Sequence, residues 1–161
     1  MTTTHPLLRY YVDQQCSRQW SAFLLSLAQE LQSLVDEGEL RPLMRQVGRR
    51  MASQMPLPAA DMLEDLQAAM NQLWDRLGWG WVSLQERASL IVIEHCAAPL
   101  QSAFGSASLA WSPGLLEGIY EQWFRMAGAG EGATVCQSSE VPDEPLMLAF
   151  HLTASPPCRT C

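Results

Sequence analysis

The stretch from Trp111 to Trp123, W-S-P-G-L-L-E-G-I-Y-E-Q-W, constrains the fold more than any other. Ser112 has the side chain of a helix cap, Pro113 suits a first helical position, and Glu117 lies near the positive end of the helix dipole. Beyond that start, Leu116, Ile119, Tyr120 and Trp123 fall on one face at helical spacing. A face that apolar has to be covered. The stretch predicts a helix over 112–127 that packs in a core or against another copy, with Trp111, Leu116, Tyr120 and Trp123 as candidate contacts between subunits.

Three helices are predicted ahead of it. From Ser17, the residues Trp20, Phe23, Leu24, Leu27, Leu31, Leu34 and Val35 recur at three- and four-residue steps up to Gly38. A second helix runs from about Glu39 to Met55 on a stripe of Leu40, Leu43, Met44, Val47, Met51 and Met55, and Pro56 and Pro58 end it. The third starts near Asp61, which has capping-box spacing to Glu64, and stops at Gly78. The period then changes to two. Trp81 to Gln85 alternates and Leu90 to Ile93 follows a short connection at Arg87-Ala88, a hairpin; 97–110 reads as a loop; Thr134–Gln137 and Leu146–Leu152 read as a second hairpin. Helices followed by hairpins, without alternating β-α-β units, predict an α+β domain with an antiparallel sheet, three N-terminal helices and two hairpins flanking a fourth helix. Residues 1–16 read as an N-terminal arm, 17–153 as the domain and 154–161 as a disordered tail.

At 161 residues the chain fits one domain, which at this size buries roughly 70% of the surface its unfolded form exposes. Hydrophobic residues make up 48% and charged ones 17%, against about a quarter charged in ordinary soluble domains, so part of the apolar surplus is expected at a subunit interface. The formal net charge is −7 and every basic residue is Arg. An acidic, lysine-free chain lacks the basic surface that displaces phosphate counterions, which argues against nucleic-acid binding. No run approaches the roughly 18 apolar residues of a membrane span, and the N-terminus lacks the pattern of a secretory signal, so no membrane insertion is expected. The odd number of scattered cysteines fits a reducing compartment better than a disulfide framework. Cys158 and Cys161 have C-x-x-C spacing but stand alone in the tail, and no metal site or cofactor is expected.

Nothing in the sequence assembles a reaction centre. His95 and Cys96 are neighbours on a strand and point to opposite faces, and Gly128 to Gly132 follows a helix where a phosphate loop would precede one. Exposed acids such as Asp143 and Glu144 lack the apolar pocket that glycosidase chemistry needs. The six Trp residues can fill a core or interface, or stack on sugar rings. Arg41, Arg45 and Arg49 recur every four residues; they form either a solvated face or, for Arg45 and Arg49, partners for the carboxylates of a neighbouring subunit.

Three segments in order, L-M-R-Q-V-G-R-R-M at Leu43–Met51, G-W-G-W at Gly78–Trp81 and the Trp111–Trp123 helix, resemble the D component of bacterial cellulose synthase complexes, from about Trp20 to Leu152. The matching positions are Arg45, Val47, Gly48 and Met51, then Gly78, Trp79 and Gly80, then Trp111, Pro113, Leu116, Glu117, Gly118, Tyr120 and Trp123. The resemblance implies a non-catalytic accessory subunit, in dimers assembled into a ring-like octamer, that organises export or crystallisation of β-1,4-glucan and cooperates with other complex subunits, including a proline-rich accessory protein. It implies a cytoplasmic protein at the membrane synthase complex, with a periplasmic one as the alternative. Glucan contacts in that family lie near the N-terminus, where this chain departs; by residue type Arg9, Tyr10, Tyr11, Gln14 and Gln15 are candidates. A dimeric small-ligand-binding or sensory domain is the competing reading of the same element order.

Overall fold

The computed structural model describes residues 16–139 and 146–153. The arm residues 1–15, most of the acidic turn of the second hairpin and the tail with Cys158 and Cys161 lie outside them. Helix α1 spans Arg18–Leu34, α2 Glu37–Gln54 and α3 Leu63–Leu77. Strands β1 (Trp81–Arg87) and β2 (Leu90–Cys96) follow. A short helix α4 (Leu100–Phe104) and a 3-10 turn (Ser106–Ala110) lead into α5 (Gly114–Phe124), which widens into a π turn over Arg125–Ala129. Strands β3 (Thr134–Gln137) and β4 (Met147–Thr153) complete the chain. The fold is α+β, as its periodicities predict.

The two hairpins join into one antiparallel sheet of order β1-β2-β4-β3. Val82 faces His95 and Leu84 faces Ile93, which in turn faces Phe150, so alternate residues of each strand line one buried face. Edge strand β1 is blunted by the amides of α3. Asn71 accepts from the Val82 N–H at 2.7 Å and donates to its carbonyl at 2.9 Å, and Gln67 accepts from the Leu84 N–H at 2.7 Å. These bonds occupy backbone groups that would otherwise invite another strand.

Helix α5 lies between α2 and the sheet. Ten of its eleven residues are buried, including Leu116, Ile119, Tyr120 and Trp123. Its approach to α2 needs glycine: a Cβ on Gly48 would run into the Leu115 carbonyl, one on Gly118 into the Arg45 carbonyl, and one on Gly114 would stand 2.7 Å from the Arg41 carbonyl oxygen. The two helices touch backbone to backbone at these positions.

Gly78 ends α3 at φ 67°, in the left-handed region. The Trp79 N–H then returns to the Trp74 carbonyl at 2.9 Å, which closes the helix end and lays the Trp79 ring on Trp74 at 5.6 Å with 8° between planes. Gly80 passes so close to the Cys96 carbonyl that no side chain fits. G-W-G is thus the joint between helix and sheet.

Local details differ from the sequence-based expectation. Helix α5 starts at Gly114, and Ser112 makes no side-chain cap; it is buried, 3.3 Å from the Ser108 hydroxyl. Helix α3 starts at Leu63 with Met62 in the cap position, so Asp61 and Glu64 form no capping box. The first hairpin turns at Ala88-Ser89, one residue later than expected, with Ala88 at φ 42°. Part of the expected loop 97–110 is helical, in segments of five residues that are too short to show a period.

Candidate assembly surface

The arginines of α2 find their carboxylates inside the same chain. Arg41, Arg45 and Arg49 follow one another at four-residue steps, as do Glu117 and Glu121 on the facing side of α5. Glu117 takes Arg41 at 2.6 Å and Arg45 at 2.8 Å. Glu121 takes Arg49 at 2.6 Å and Arg125 at 3.1 Å. Glu117 also accepts the Gln137 N–H at 2.8 Å and Glu121 the Val135 N–H at 3.3 Å, which ties β3 to the ladder. Burial pushes the Glu117 carboxyl up, but hydrogen bonds and charge from Arg41 and Arg45 outweigh it and hold the group below the usual carboxylate range. For Arg45, burial works against the charge, and the neighbouring Glu117 more than restores it, so its pKa is raised.

Arg45 and Arg49, expected as partners of a neighbouring subunit's carboxylates, thus pair with carboxylates of their own chain. Trp111, Leu116, Tyr120 and Trp123 were expected as contacts between copies, and the structure places them in the interior. All four are at most 1% exposed, inside the chain's own core, and offer no surface to a second molecule. Trp111 packs on Phe104, and the Trp123 indole donates to the Met55 carbonyl at 3.0 Å. Glu117, Gly118 and Gly48 belong to the α2–α5 contact, and Pro113 stands in the cap position of α5. Glu121 was the residue that sequence reasoning missed. Its signal was there: acids four apart on one apolar helix, arginines four apart on another.

His95 is the other buried titratable group of note. Its Nε2 lies 2.6 Å from the Trp79 carbonyl oxygen and its Nδ1 2.5 Å from the Tyr120 hydroxyl. A carbonyl only accepts, so Nε2 carries the proton and Nδ1 accepts from Tyr120. Burial holds this imidazole neutral, with its pKa lowered to about 4 against the opposing pull of the Trp79 carbonyl. Burial likewise raises the Tyr120 phenol well above its ordinary range. The pair locks α5 to the helix–sheet joint.

The large apolar side chains left exposed cluster on α1. In α1 only Ala28 is buried. Trp20 is 53% exposed, Phe23 55% and Leu34 80%, and Leu27 is also exposed. At 100° per residue these four fall within an arc of about 60°. Trp20 and Phe23 meet edge to face at 5.8 Å. On α2, Leu43 and Val47 point outward one turn apart. Helix α1 is held to the rest by α4, by a limited contact with α2, and by the Gln32 amide donating to the Ala107 carbonyl at 3.2 Å.

The sequence model of the cellulose synthase D-subunit family matches residues 6–151. The chain belongs to the cellulose synthase D-subunit family. The match begins at residue 6, ahead of Trp20, so most of the arm falls within it. Among similar proteins, a cellulose synthase operon protein D of Komagataeibacter xylinus is 30% identical over 128 residues, covering 77% of this chain and 81% of its own. Another from the same species is 32% identical over 108 residues, 65% of this chain and 68% of its own, and so is one from Komagataeibacter sucrofermentans. The candidate glucan contacts Arg9, Tyr10, Tyr11, Gln14 and Gln15 lie outside the described residues. Among the described residues, no helix is long and apolar enough to cross a membrane.

Proposed function

We propose that this member of the cellulose synthase D-subunit family is a non-catalytic accessory component of a bacterial cellulose synthesis and secretion complex. It associates with itself, as dimers built into a ring-like octamer, and orders β-1,4-glucan chains for export or crystallisation on the cytoplasmic side of the synthase. Other complex subunits, a proline-rich accessory protein among them, are its partners. The observation that carries this reading is the uncovered apolar stripe of α1, in a chain whose relatives are named for the cellulose synthase operon. Exposed apolar area of this kind marks a surface that another protein covers.

The buried polar groups support a structural role over a catalytic one. Glu117 and Glu121 are spent on four arginines, and His95 on Tyr120 and Trp79. The ligand-binding reading needs an apolar pocket, whereas Trp74, Trp123, Tyr120 and Phe150 bring α3, α5 and the sheet together with rings in mutual contact.

The test is genetic and chemical. Loss of this chain from a cellulose-producing host should lower cellulose yield or crystallinity, and the intact chain should restore both. Wild-type cellulose in its absence would overturn the proposal. Removing residues 1–15 should reproduce the defect if Arg9, Tyr10, Tyr11, Gln14 and Gln15 touch glucan.

A further inference from the structure

We infer that α1 pairs with α1 of a second copy, antiparallel, crossing at Leu27. This rests on the reading that the chain associates with itself and says which surface does so.

The spacing is the first argument. Trp20, Leu27 and Leu34 repeat every seven residues, the period of a helix seam that meets another helix along its length, and Phe23 fills the place between the first two. Leu24 and Leu31, half-buried beside them, extend the apolar band toward the body of the protein. The seam is about 20 Å long from Trp20 to Leu34 at 1.5 Å per residue. A seam repeating on itself fits an identical seam, and a two-fold contact places the same patch on both partners.

Charge decides the direction. Arg18 stands at the start of α1, whereas Asp36, Glu37 and Glu39 stand just beyond its end. A parallel pair would bring the two arginines together at one end and six acids together at the other, and set Glu30 beside the Glu30 of its mate. An antiparallel pair joins the basic end of each helix to the acidic end of the other and opposes the helix dipoles. With Leu27 on the two-fold axis, Trp20 comes opposite Leu34 and Phe23 opposite Leu31. Each bulky ring then meets an aliphatic side chain instead of its own copy.

The experiment compares the intact chain with Phe23→Glu/Leu27→Glu by native mass spectrometry, with circular dichroism to follow the fold. The wild type is expected as an oligomer and the double variant at half that mass or less, with an unchanged spectrum. A wild type that is itself monomeric would defeat the self-association reading as a whole. An oligomeric wild type with a double variant of unchanged mass would overturn only the α1 pairing, including the case in which another segment or another protein covers the stripe. Cross-linking fixes the direction, and also decides the case in which the double variant unfolds. With Cys16, Cys158 and Cys161 changed to Ser, Trp20→Cys and Leu34→Cys chains are oxidised separately and mixed. Disulfide-linked dimers from the mixture and not from either chain alone are the expected result. Linkage of each variant to itself, or no linkage at all, would overturn the proposal.

Discussion

Helices α1 and α5 are both rich in apolar and aromatic side chains, yet α5 buries ten of its eleven residues and α1 one of its seventeen. The difference does not come from hydrophobicity alone. Helix α5 carries glycines where α2 crosses it, acids where α2 offers arginines, and a phenol where the sheet offers an imidazole. Its Glu117, Glu121, Tyr120 and Trp123 side chains all find polar partners within the chain. Helix α1 has apolar residues on a seven-residue repeat that the described residues leave exposed. A core helix is thus marked by complementary polar and small residues on a neighbouring element, and a docking helix by an apolar stripe without them.

Four changes test that contrast, in order of the effect expected. Glu117→Ala removes the acid shared by Arg41 and Arg45 and leaves two guanidinium groups partly buried without it. It should cost about 4 kcal/mol, read as a shifted midpoint in chemical denaturation. Gly118→Ala drives a methyl group into the Arg45 carbonyl and should cost about 3 kcal/mol by the same measurement. An unchanged midpoint for either would mean that α2 and α5 are not held as described.

The third is a pH dependence. The pKa of His95 is depressed on folding, from 6.5 to about 4, so its contribution is complete above pH 6.5 and declines as the pH falls toward 4. Within that window stability should drop by about 1.4 kcal/mol per pH unit at the steepest. Glu117, also held below its ordinary value, adds its own loss only below about pH 4.5. His95→Gln should flatten the profile between pH 6.5 and 4; a slope equal to that of the wild type would place the titrating group elsewhere. The smallest effect belongs to α1. Leu27→Glu, at an exposed position, should move the stability of the dissociated chain by no more than about 0.5 kcal/mol in denaturation at high dilution.

The elements of the fold were legible because each has a period that its own residues impose. The stripe of α3 and the alternation of β1 need no knowledge of the rest of the chain. Gly78 was also readable as a helix stop, since a left-handed helix end calls for glycine, whereas the need for Gly80 comes from its approach to Cys96. The destination of an apolar face was not legible in the same way. The dense aromatic face of α5 and the sparser one of α1 look alike as periodicity, and only the position of α2 across α5 separates them. The arginines of α2 were ambiguous for the same reason: four-residue spacing defines a face, and Glu117 and Glu121 come some seventy residues later. The cap at Ser112 failed because a turn there already gives the Gly114 and Leu115 amides backbone acceptors, and the one at Asp61 because the helix begins two residues later, after an extended Met62.

The contrast between the two helices is tested most directly by amide hydrogen exchange on the intact chain at concentrations above and below its assembly midpoint. The amides of Arg18–Leu34 should slow as the protein assembles, while those of Gly114–Phe124, already slow in the dissociated chain, should stay the same. Protection gained in α5 with none in α1 would contradict the account.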